Sequence, residues 1–144
     1  RFYDLVVEKD LVSVFYEVKN WKLATFTPFP PRTKGTVAFK AWRTAQTQFM
    51  KDMINLGATP DRIKWVFPRA FLDAANGNAT NRAKMASEFA SLISSERFRR
   101  YVGRDGIGAT TYRDVIIGLG GTVDSQGRGS VPVTRILAML EGAS

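Results

Sequence analysis

Cysteine and histidine are both absent from this chain. Zinc sites built from those residues, thiol nucleophiles and Ser-His-Asp catalysis are thereby excluded. Any hydrolytic chemistry must rest on carboxylates, lysine, arginine, hydroxyls and an oxygen-ligated metal. No apolar run approaches the length needed to cross a bilayer, and no signal peptide is visible. Acidic residues are in short supply. Against 21 Lys and Arg stand 13 Asp and Glu, and the net charge of +8 favours a polyanionic partner, nucleic acid or an acidic protein. Apolar residues are plentiful: 44% of 144 residues is enough for one domain with its own core, and no internal repeat is visible.

What is present is organised around a first hairpin. Residues 3–7 and 15–21 are rich in Val, Leu, Phe and Tyr and flank a polar turn at Glu8-Lys9-Asp10, the usual strand signal. Three ionisable groups, Asp4, Glu17 and Lys19, interrupt these apolar runs. A two-residue loop at Lys9-Asp10 would pair Glu8 with Leu11, Asp4 with Phe15 and Phe2 with Glu17. Asp4, Glu17 and Lys19 then share one face, because residues two apart on a strand and residues directly opposite lie on the same side. Val12, Val14, Tyr16 and Val18 would point the other way, into a core. Two carboxylates on one face repel unless a cation lies between them. Mg²⁺ suits such a place, since it takes oxygen ligands and often only one or two carboxylates. A lysine beside it can hold the attacking water or neutralise charge on a phosphate. A solvated cross-strand pairing set is the plainer account of the same residues.

Asp followed by Glu-x-Lys on the next strand resembles the PD-(D/E)XK nuclease superfamily. The resemblance implies that Asp4, Glu17 and the backbone carbonyl of Val18 bind Mg²⁺ or Mn²⁺, and that Lys19 serves the nucleophilic water. Tyr3 stands where the family has proline. The family's next helix often lends a Gln, Lys or Arg to the site, and Gln46 and Arg43 are the matching residues.

The rest of the chain gives the expected order of elements. Residues 23–27 alternate before prolines at 28, 30 and 31, which predicts a third strand stopping near Thr27. Ala38, Trp42, Ala45, Phe49, Met53 and Leu56 recur at steps of three and four, which predicts a helix over 37–56 stopped by Gly57. Residues 63–67 read as a strand, parallel to an earlier one because a helix crosses between them. The expected fold is α/β: a restriction-endonuclease-like mixed sheet with a β-β-β-α-β core over residues 1–68. A helical C-terminal half over 69–144 completes a single nuclease domain. That half should hold helices at 80–94, from 95 onward, after Thr110-Thr111, and from Ser130 through Leu140. The glycine-rich stretch 124–130 matches no phosphate-loop pattern. The chain is expected to be a fragment lacking an upstream helix.

Arg97, Arg99, Arg100 and Arg104, interleaved with Phe98 and Tyr101, form a candidate phosphate-contacting patch, with Lys34 as a further basic contact. The expected activity is metal-dependent endonucleolytic cleavage of DNA, with RNA left open. The resemblance extends to C-terminal toxin domains of contact-dependent, Rhs-type and type VI effectors. These would be secreted and act in a target-cell cytoplasm, with an acidic immunity protein as partner. The alternatives are a non-catalytic nucleic-acid-binding module and a DNA repair or restriction nuclease that stays in its own cytoplasm.

Overall fold

The computed structural model describes residues 3–9, 12–56, 59–105 and 111–144. Strands β1 (Leu5–Lys9) and β2 (Val12–Val18) form the first hairpin. Leu5 lies opposite Tyr16, Val7 opposite Val14 and Lys9 opposite Val12. Asp4 therefore does not face Phe15, as the sequence suggested; the register is shifted by two residues. A shift of two keeps every side chain on its face, so apolar alternation cannot tell the two registers apart. The expected partners Leu11 and Phe2 lie outside the described residues, as does Gly57.

Two further strands complete the main sheet. Helix α1 (Val37–Leu56) is followed by β3 (Ile63–Pro68), which runs parallel to β2 with Glu17 beside Trp65. The parallel pairing expected from the crossover is thus present. The fourth strand, here called β8, is Leu140–Ala143; it runs parallel to β3, and the sheet order is β1-β2-β3-β8. The protein is mixed α/β with six helices among the described residues.

Three expectations are corrected. Residues 23–27 form no strand. Trp21 stacks on Phe26 with ring centroids 4.2 Å apart, and the backbone turns there through bonds from Thr25 and Phe26 N–H to the Lys22 carbonyl. Trp21, Phe26 and Phe29 are all buried, so these spaced aromatics share one core instead of alternating between two faces. The second half is not purely helical, because β8 inserts into the main sheet; the last helix ends at Leu137, short of Leu140. Finally, the core lies on the Glu17 side of the hairpin. Ile63, Trp65 and Phe67 fill that side of β3 and are fully buried, whereas Leu5, Val7 and Val18 on the other side are exposed. Period-two patterning separates two faces without saying which one the helices cover.

The remaining elements follow from local chemistry. After α2 (Arg69–Leu72), a short hairpin of β4 (Ala75–Asn76) and β5 (Ala79–Thr80) leads into α3 (Asn81–Ser94), where the Thr80 side chain caps the helix by accepting from Ala83 N–H. Helix α4 (Glu96–Asp105) follows, then α5 (Tyr112–Gly118), started by a capping box between Thr111 and Asp114. The glycine-rich stretch is a hairpin of β6 (Thr122–Val123) and β7 (Gly129–Ser130), leading to α6 (Val133–Leu137). Gly127 is required in that turn: its φ is +79°, and any Cβ would sit 2.7 Å from Arg99 Nη2.

In the same turn the Asp124 carboxylate accepts from Gln126 N–H at 2.9 Å and Arg128 N–H at 2.8 Å. The Arg128 N–H chiefly holds its pKa below the ordinary value, opposed by loss of hydration and aided by Gln126 N–H and the charges of Arg128 and Arg99. A carboxyl with a lowered folded pKa adds stability that is complete above its unfolded value of 3.8 and is lost as pH falls through the folded value. Thermal melts from about pH 5 to about pH 2 should therefore show a smaller acid-induced fall for Asp124→Asn than for the parent.

Candidate active site

Asp4, Glu17 and Lys19, singled out in the sequence, lie around the end of β2. Extended one residue further, the β1/β2 register sets Asp4 across from Glu17. The chain bends at Asp4, the Tyr3 ring packs 4.6 Å from Phe15, and the Asp4 Oδ2 accepts the Val18 N–H at 2.7 Å. In an antiparallel ladder a residue's N–H and C=O face the same neighbour. The Val18 carbonyl is therefore directed to the side that Asp4 occupies, just past the first paired residue of β1.

Glu17 and Lys19 both lie on the core side, two residues apart. Glu17 is buried at 4% exposure, and its Oε1 lies 3.3 Å from Lys19 Nζ. The ammonium also donates to Gln48 Oε1 at 2.5 Å and lies 5.7 Å from the centre of the Trp65 ring. Lys19 N–H bonds to the Val66 carbonyl at 2.8 Å, which extends the β2/β3 ladder and fixes the direction of the lysine. A buried carboxylate is tolerated only where it is paired and hydrogen-bonded. Lys19 supplies that pairing and is itself held by α1.

The glutamine that meets Lys19 is Gln48, not the Gln46 that the family resemblance pointed to. Gln46 and Gln48 are two residues apart on a helix and project about 200° apart around it. Gln48 faces β2. One turn further along the same face, the fully buried Asp52 accepts from the Trp65 indole N–H at 3.1 Å. A signal for both was available: Ala41, Ala45, Gln48 and Asp52 follow steps of three and four, so two polar residues sit within an apolar stripe. Gln46 and Arg43 instead line a cleft of about 220 Å³ between residues 30–32, the outward side of α1 and Glu88 of α3.

The arginines of the candidate patch differ in their surroundings. Arg97 lies near Arg43 of α1, and burial together with the Arg43 charge lowers its pKa. Arg99 covers Gly127 and lies 3.9 Å from Glu96, so it is committed to the turn of the β6/β7 hairpin. Arg100 and Lys34 are exposed, and the Arg104 side chain lies outside the described residues.

Comparison with protein-family models, curated proteins and solved structures finds no match. The site must therefore be judged on its own donors. Among the described residues no group of three or more Asp, Glu, His or Cys side chains could hold a metal ion. Carboxylates and backbone carbonyls are hard-oxygen donors of the kind Mg²⁺ takes beside waters and substrate phosphate. Soft ligands are absent from the set, so its chemistry fits Mg²⁺ or Mn²⁺. No described helix is long and apolar enough to cross a membrane.

Proposed function

We propose that this chain is a metal-dependent endonuclease that hydrolyses DNA phosphodiester bonds, with a PD-(D/E)XK-type core. The carrying observation is the convergence at the end of β2: a buried Glu17, a Lys19 held against it by Gln48, and an Asp4 carboxylate turned onto the backbone of Val18. The order strand, strand, helix, strand with β2 parallel to β3 supports the same reading, although one of the three strands expected before the helix is absent among the described residues.

In this reading Asp4, Glu17 and the Val18 carbonyl hold Mg²⁺ or Mn²⁺. The ion supplies Lewis-acid activation of the phosphate and a nucleophile at neutral pH. Lys19 Nζ orients the attacking water and offsets charge developing on the phosphate. Gln48 restricts the lysine rotamer, and burial beside Trp65 keeps the dielectric low, so each charge acts more strongly than in water. The remaining excess of positive charge draws the phosphate backbone toward the site.

The biological role proposed is that of an interbacterial effector acting on target-cell DNA. A cysteine-free domain needs no disulfides to refold in a reducing cytoplasm. A neutralising partner would be acidic, because charge complementarity speeds capture of a +8 chain. Plasmid incubated with the protein should be cut with Mg²⁺ or Mn²⁺ and left whole in EDTA. Expression in bacteria should arrest growth with loss of DNA, and Lys19→Ala should relieve the arrest. Salt-sensitive binding without cleavage under any divalent ion would replace the nuclease by a plain binding module.

A further inference from the structure

The cleft on the outward side of α1 is separate from the end of β2, and its chemistry is that of a base-binding pocket. Pro30, Pro31 and Phe39 give it apolar walls, and Trp42 closes it toward the core. Its volume of about 220 Å³ is below the range typical of drug-sized ligands and suits a single planar ring system. Two features make it specific. Gln46 lines the cleft with an amide that can both donate and accept, and its Oε1 is buried without a donor. Glu88 adds a carboxylate, which when ionised only accepts hydrogen bonds. The two Glu88 oxygens thus offer a pair of acceptors to a ligand's edge. At the mouth, Arg43 and Arg32 supply positive charge, and Arg97 of α4 lies close enough to Arg43 to feel it. Guanidinium groups gathered in this way match the oxygens of a phosphate.

We propose that this cleft binds one unpaired guanine nucleotide of a nucleic-acid strand, with the base between Pro30–Pro31 and Phe39, its edge on the Glu88 carboxylate, and a phosphate on Arg43. Guanine alone among the bases presents two adjacent donors, N1–H and the N2 amino group, on its pairing edge. Adenine and cytosine each place a ring acceptor beside their amino group, and thymine flanks its single N–H with two carbonyls. An edge lined by acceptors therefore selects guanine and leaves the other three with lone pairs facing lone pairs. Unpaired bases are commonly recognised in this way, by stacking on a flat side chain and by hydrogen bonds to the exposed pairing edge. The inference rests on the nuclease reading and deepens it by naming the strand state and the base that the protein would engage.

The test is fluorescence anisotropy in EDTA with labelled thymidine decamers carrying one central guanine, adenine or cytosine. The guanine decamer should bind about tenfold more tightly than the other two, the scale of one bidentate base contact. Glu88→Gln should abolish that preference while binding of the other decamers is kept or slightly improved by the lost negative charge. Arg43→Gln should weaken all three alike and reduce the salt dependence by about one counterion. Both residues face solvent in part or whole, and circular dichroism of each variant confirms that the fold is kept. Equal affinity for the three decamers, no binding to any of them, or a guanine preference that survives Glu88→Gln overturns the proposal. Because EDTA removes any cleavage, base indifference alongside intact Mg²⁺-dependent cutting rejects the cleft alone. A guanine preference without cutting under any divalent ion rejects the nuclease reading alone.

Discussion

Lys19→Ala should reduce Mg²⁺-dependent plasmid cleavage by about 10²–10⁴-fold, the usual scale for losing a positioned proton-handling or charge-stabilising group. The same change should alter stability in a way that a mere loss of activity would not. Lys19 places a cation 3.3 Å from the buried Glu17 carboxylate. Removing one partner of a fully buried pair costs about 3–5 kcal/mol. Lys19 keeps 18% side-chain exposure, so water can take over part of its role and the loss should be about 1–3 kcal/mol. A divalent ion held by Glu17 and Asp4 would compensate the same charge. Mg²⁺ should therefore raise the melting temperature of Lys19→Ala more than that of the parent, whose Glu17 already has its lysine. Glu17→Gln should remove both the cleavage and the Mg²⁺-induced rise. Differential scanning fluorimetry with and without Mg²⁺, beside a plasmid assay, reads all of these. Unchanged cleavage by Lys19→Ala, or the same thermal shift in parent and variants, would remove Lys19 from the site.

Much of this site could be read from the sequence because it depends on parity. Glu17 and Lys19 share a side whatever the pairing, and a shift of two residues keeps Asp4 in the same parity, although its carboxylate turns to the Val18 N–H. Helix α1 was equally legible. Its boundaries follow the apolar stripe, and Ala38, Trp42, Ala45, Phe49 and Met53 are buried as their spacing requires. What could not be read depends on contacts between distant segments. Val14, Tyr16 and Val18 look like a core face in isolation, and only the placement of α1 makes the Glu17 side the buried one. Gln46 and Gln48 are equally plausible in a list, and the rotation of the helix against β2 decides between them. The strand Leu140–Ala143 contains two glycine or alanine residues after a short apolar run, and nothing local marks it as a strand. It is held by parallel pairing to β3, where Leu140 lies beside Trp65 and Gly142 beside Phe67. Arg82 reinforces the junction by donating to the Leu140 carbonyl at 3.2 Å and to Asp73 at 2.9 Å.

That pairing bears on whether the chain is a sheet core with an appended helical half or one folding unit, and Phe89→Ala should decide it. Phe89 of α3 belongs to the second half of the sequence, yet its ring stacks on Phe49 of α1 at 4.0 Å and 2° between planes. It also lies 5.3 Å from Trp42 and 5.6 Å from Trp65, so it touches both the helix above the sheet and the central strand. All four rings are buried, and close packing leaves the other three little freedom to fill the space that a truncated Phe89 would leave. Truncation of a buried phenylalanine costs about 3–5 kcal/mol through lost transfer energy and the residual cavity. For a domain of this size that corresponds to a fall in melting temperature on the order of 10–15 °C. Because β8 and α3 join the second half to β3 and α1, the parent and Phe89→Ala should each unfold in a single calorimetric transition, with van't Hoff and calorimetric enthalpies in agreement. An appended half would behave otherwise. Phe89→Ala would then lower one of two resolved transitions and leave the melting of the sheet, followed by Trp65 fluorescence, where it was.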